Sequence, residues 1–192
     1  MLLPIKKARK KLQQKYGTLF WSLCAARCID SMLENIANPR WFPLVDEAIK
    51  KAKKITKFIY NHGVALDLMR QDFTNGRKLC RPAITRFSTN FLSLQSMLRF
   101  KKELRQIFTC DKWLACPRAK TTIGKEICKI VLEDYSFWYQ CKKIVKVSEP
   151  LVRVLRLVDG DEKPTMGYLY EAMDKKKKKK VEEQGFFVWT LY

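Results

Sequence analysis

Cys24 and Cys28 lie four residues apart, the first pair in this chain whose types and spacing could do chemistry. On a helix such a spacing puts both thiols on one face, where they could hold a soft metal ion or form a redox pair. A zinc site needs about four ligands from Cys, His or carboxylate. The chain has one histidine, His62; Arg27 stands between the two thiols, Cys80 is isolated, and Cys110 and Cys116 have no ligand-like spacing. The expectation is therefore no metal, with Cys24 and Cys28 serving as small apolar side chains on the buried face of a helix.

The other candidates for chemistry are equally bare. His62 precedes Gly63 at a helix break, and neither a GxSxG string nor a papain-like cysteine context surrounds it, so it is read as a structural or capping residue. Asp159, Asp161 and Glu162 form the densest acidic group and are read as a solvated turn closing a helix rather than a cation site. No glycine-rich phosphate loop occurs, and no cofactor is expected.

The lysines and arginines carry more weight. Lys6, Lys7, Arg9, Lys10 and Lys11 crowd the start, Lys50, Lys53, Lys54 and Lys57 recur at helical spacing, and Lys175 to Lys180 form an unbroken run. Each could neutralise a phosphate and release a condensed counterion. The first and last clusters also have the composition of nuclear import segments, so the nucleus is the expected location, with the cytoplasm as the alternative.

Composition agrees. The 192 residues carry 39 Lys and Arg against 19 Asp and Glu, a net +20 at pH 7, which repels itself unless a polyanion or counterions intervene. With 47% hydrophobic and 12% aromatic residues the chain has enough apolar material to fold. Its seven cysteines lack the dense spacing of a disulfide scaffold, which points to reduced thiols inside the cell. No secretory leader and no long uncharged apolar run is evident, so neither export nor a membrane partner is expected.

The elements that position these residues are mostly helical. "IKKARKKLQQKYG" reads as a basic helix ending near Gly17, and "TLFWSL" as one short strand. A helix from Cys24 to Ile36 follows, with Cys24, Cys28, Met32, Leu33 and Ile36 on one face, then one in which Val45, Ala48, Ile49, Ala52, Ile55, Phe58 and Ile59 face the core and the lysines face outward. Asn75-Gly76 predicts a turn, and the apolar spacing predicts one helix over about Thr85 to Phe108. A further helix is expected from about Lys125 through Val158, bent at Pro150, with Ile144, Val147, Leu151, Val154 and Val158 as its seam.

Several long strings, in order, carry a resemblance: "LFWSLCAARCIDSMLENI", "AKKITKFIYNHG", "LMRQDFTNGRKLCRPAITRFSTNFLSLQSML", "FTCDKWLA" and "FWYQCKKIVKVSEPLVRVLRLVDGDEKPTMGYLYEAMD". Over residues 5 to 174 the chain resembles the middle of plant hAT-superfamily transposase-like proteins. The resemblance implies a ribonuclease-H-like core, interrupted by a large helical insertion, in which two aspartates and a glutamate hold divalent ions for phosphoryl chemistry on DNA. It places those acids in "TDNA"-like and "CERNWS"-like segments outside this stretch, so no catalytic residue is expected here. Cys24 matches the family's Cys-x-x-His pattern, whereas Arg27 stands at the histidine position; Phe87 in "ITRF" occupies a place where many relatives carry tryptophan.

These readings combine into a mainly α fold with at most one or two short strands. Residues 1–38 are expected to be the remnant of the ribonuclease-H-like core, 39–174 a helical insertion-like domain, and 175–192 a lysine run and divergent tail. The expected function is that of a transposase-derived, catalytically inactive protein that associates weakly and without sequence choice with nucleic acid, and has no small-molecule substrate. The alternative is an interaction fragment that docks on a related transposase-like protein through the Ile144 to Val158 seam and the apolar end "GFFVWTLY".

Overall fold

The computed structural model describes residues 2–18, 24–81, 88–159, 171 and 174, with side chains from Lys7 onward. The fold is mainly α, and no strand occurs among the described residues. The expected strand "TLFWSL", Phe87, Asp161, Glu162, the lysine run and the apolar tail lie largely or wholly outside them.

Helix α1 spans Leu2–Lys15 and α2 spans Ala25–Ile36. None of the described side chains of α1 is buried, whereas Ala25, Ile29, Leu33 and Ile36 of α2 all are. Leu33 and Ile36 of the expected face are therefore buried and Met32 is half-buried, whereas in the first two turns Ala25 and Ile29 take the place expected of Cys24 and Cys28. Cys24 is the exposed residue preceding α2, and Cys28 is half-buried, because the core lies on the Ile29 and Leu33 side and Cys28 falls on its flank.

Pro43 opens α3, Pro43–Asn61, where its missing N–H costs nothing and its fixed φ already suits a helix. The interior-facing residues follow the period read from the sequence: Ala48, Ile49, Ala52, Ile55, Phe58 and Ile59 are buried. A short helix α4, Gly63–Asp67, runs into a π-helical segment, Leu68–Phe73, closed by the Thr74 N–H donating to the Met69 carbonyl at 2.9 Å. The expected turn follows, with Asn75 (φ 49°) and Gly76 (φ 78°) both left-handed, a conformation that Asn tolerates and Gly adopts freely.

Two expected single helices prove to be pairs. The stretch up to Phe108 divides into α5, Ser88–Arg99, and α6, Lys101–Thr109, at Phe100. Phe100 leaves helical geometry (φ −100°, ψ 18°) with its ring 3% exposed. After the short α7, Asp111–Leu114, and a 3₁₀ turn, Pro117–Lys120, comes α8, Thr122–Leu132, followed by α9, Tyr135–Val158. The chain breaks between α8 and α9 because Asp134 caps the next helix, accepting the Phe137 N–H at 2.8 Å. Helix α9 runs on through Pro150, which withdraws one donor from its ladder.

Helix α9 packs on α5, α2 and α3, and α3 also meets α4, α5 and α8. Of the seam expected on α9, Ile144, Leu151 and Val154 are buried in the common core, whereas Val147 and Val158 are half-buried. At the other end of the core Trp113, fully buried, stands edge-on to Phe108 (centroids 5.2 Å apart) and to Phe58 (5.8 Å).

Candidate nucleic-acid interface

The basic residues that stand out in the sequence fall on two helices. On α1, Lys7, Lys10 and Lys11 are exposed, and Arg9 is half-buried with its Nε donating to Gln13 Oε1 at 3.1 Å. Lys6 belongs to α1 by its backbone, and its side chain lies outside the described residues.

On α3, Lys50, Lys53, Lys54 and Lys57 are all exposed on the side opposite the core. They are not equivalent. Lys50 Nζ sits 2.7 Å from Asp46 Oδ2 one turn earlier, and Lys54 is paired with Glu126 of α8. Lys53 and Lys57, at i and i+4, have no ion-pair partner among the described residues. Periodicity reveals the stripe but not Glu126, which a different helix brings to Lys54. Surface pairs of this kind are weak, about 0–1 kcal/mol, and an incoming phosphate can compete with them.

Lys51, beside this stripe, has no distinguishing signal in the sequence. It is turned toward α9, bound to Asp134 Oδ2 and Glu47 Oε1, each at 2.7 Å. Burial works against its charge, but the hydrogen bonds that it donates to the two carboxylates more than offset this and raise its pKa above the usual lysine value. Lys51 is thus a structural cation and not part of the interface.

The remaining candidates do not assemble into a chemical centre. Among the described residues no three His, Cys, Asp or Glu side chains come together as metal ligands. His62 ends α3; its Nδ1 donates to the Phe58 carbonyl at 2.7 Å, and its ring lies 4.1 Å from that of Phe58, which fits the capping role expected of it. Arg27 is exposed on α2, and the polar residue that matters there is Asp30, whose Oδ1 accepts the Ser88 N–H at 3.2 Å and ties α2 to the start of α5. The thiols of Cys80, Cys128 and Cys141 are all pushed up by burial, Cys141 to about 12, so these three are poor nucleophiles. The arrangement is suited to holding a polyanion by exposed lysines.

Residues 3–55, which include α1, α2 and the first turns of α3, match a family described as a domain of unknown function (DUF659), a domain found in hAT-type transposase-like proteins. No curated protein and no solved structure matches the chain.

Proposed function

We propose that this chain is a transposase-derived helical protein that performs no phosphoryl transfer and associates with nucleic acid weakly and without sequence preference. The family match to residues 3–55 supports the origin. The single observation that supports the binding role is the pair Lys53 and Lys57, adjacent on the outer face of α3 and without a carboxylate partner among the described residues. Lys7, Lys10 and Lys11 of α1 extend the available positive surface.

Lysines that point into solvent read backbone charge, not base edges. Affinity should then be that of non-specific complexes, about 10⁻⁴–10⁻⁶ M near physiological salt, and should fall steeply as salt rises. Fluorescence anisotropy of labelled duplexes of two unrelated sequences, titrated at several salt concentrations, tests this. Equal, salt-sensitive binding of both duplexes supports the reading; binding that ignores salt, or no binding at low salt, refutes it. The docking alternative is less favoured, since Ile144, Leu151 and Val154 of the α9 seam are buried in the chain's own core.

A further inference from the structure

A second concentration of positive charge arises where three separate segments meet. Arg77 and Lys78 follow the Asn75-Gly76 turn, Arg99 ends α5, and Arg156 lies in the last turn of α9; all four line one cavity of about 590 Å³. Its other walls include Leu92, Ser96 and Phe100, and none of the described residues that line it carries a carboxylate. A cavity of this size lies within the range that takes up small ligands, about 300–1,000 Å³.

The cations are poised rather than paired. Arg77 is held in place, its Nε donating to the Thr74 carbonyl at 3.2 Å and its guanidinium stacked 5.6 Å from the Phe100 ring centroid, which leaves its terminal nitrogens to bind elsewhere. Lys78, Arg99 and Arg156 are exposed and have no ion-pair partner among the described residues. Arg153, one turn from Arg156, differs in being paired with Glu149. The Ser96 hydroxyl accepts the Cys80 N–H at 3.0 Å and keeps its own proton to donate.

The geometry points to a binding site for a phosphomonoester of nucleotide size, whose doubly charged terminal group is held by Arg77, Lys78, Arg99 and Arg156. A terminal phosphate carries about −1.5 to −2 charges at neutral pH, against −1 for a backbone diester, so a cluster of four cations favours it. Guanidinium groups add bidentate hydrogen bonding to phosphate oxygens. A concave site also admits a free nucleotide or a strand end more readily than the middle of a duplex. The residues are distinct from Lys53 and Lys57, so the site does not depend on the proposed duplex binding.

Calorimetric titration of the full chain with AMP and, separately, with adenosine tests the site. AMP should bind and adenosine should not. The double variant Arg99→Gln/Arg156→Gln should lose about tenfold or more in AMP affinity, while Lys53→Gln/Lys57→Gln should stay within about twofold of the parent. A terminally phosphorylated oligonucleotide and its hydroxyl-ended twin separate the two sources of the group. Preference for the phosphorylated strand assigns the site to strand ends; AMP binding without that preference assigns it to free nucleotides. Equal binding of AMP and adenosine, or unchanged AMP affinity in the arginine variant, overturns the inference whether or not duplex binding holds.

Discussion

Lys51 Nζ lies 2.7 Å from Asp134 Oδ2, so one ion pair joins the middle of α3 to the start of α9, while the other oxygen of the same carboxylate accepts the Phe137 N–H at 2.8 Å. Asp134 therefore acts at once as a helix cap and as a cross-helix tie. Burial alone would raise its pKa; the Lys51 hydrogen bond and the Phe137 N–H outweigh that and hold it below the usual carboxylate range. Asp134→Ala should destabilise the fold by about 2 kcal/mol, with roughly half from the cap and the rest from the partly screened pair. Asp134→Asn keeps the acceptor and should cost about 1 kcal/mol or less. Because the folded pKa is lowered, the carboxylate's contribution is complete above its unfolded pKa and is lost as pH falls through the folded one. Denaturant melts across the acid range should show this loss in the parent protein and a flatter profile in Asp134→Asn.

The inequality among the α3 lysines gives a test of the interface. Lys53→Gln/Lys57→Gln should reduce the magnitude of the salt slope for duplex binding by up to about 1.8, since each phosphate that a lysine neutralises adds about 0.9 to that slope. Glu126→Gln, which releases Lys54, should strengthen binding modestly, and anisotropy titrations in parallel would reveal either failure.

At Gly124 steric crowding should override helix propensity. Alanine is favoured over glycine in a helix by about 1 kcal/mol. Yet a Cβ on Gly124 would collide with the Arg118 carbonyl oxygen and crowd Thr121 Oγ1, which caps α8 by accepting the Gly124 N–H at 3.1 Å. Gly124→Ala should therefore destabilise, by about 1–3 kcal/mol in thermal or urea melts, as overpacking does.

Thiol labelling should sort the cysteines by burial. Cys24 is exposed and should react with a maleimide at once, whereas Cys141 is fully buried. With the Cys141 thiol pushed up to about 12, only about one part in ten thousand is thiolate at pH 8. Mass spectrometry after a short pulse should find Cys24 modified and Cys141 intact until denaturant is added.

The outward and inward faces of α3 are legible in the sequence because they depend on a 3.6-residue period within one segment, and the Asn75-Gly76 turn because its backbone demands those residues. What is not legible depends on distant segments. Phe100 interrupts a continuous apolar pattern as its ring enters the core, and Asp134 ends one helix by capping another, a role its position before "YSF" could suggest. The core face of α2 keeps the expected Leu33 and Ile36 but takes Ala25 and Ile29 instead of Cys24 and Cys28, because both sets are apolar and local spacing cannot choose between them. Lys53 and Lys57 are plainly basic in the sequence, but Glu126 and Asp134, which distinguish them from Lys54 and Lys51, come from elsewhere in the chain.

Helix α3 touches α4, α5, α8 and α9, and its Ile55 and Ile59 are completely enclosed. Amide protons along its inner side can meet solvent only when several neighbours detach together, so they should be the slowest to exchange with deuterium in the native state, reporting the opening of the entire core. Those of α1, none of whose described side chains is more than half-buried, should exchange early, so that one helix of the family-matched segment loosens long before the rest comes apart.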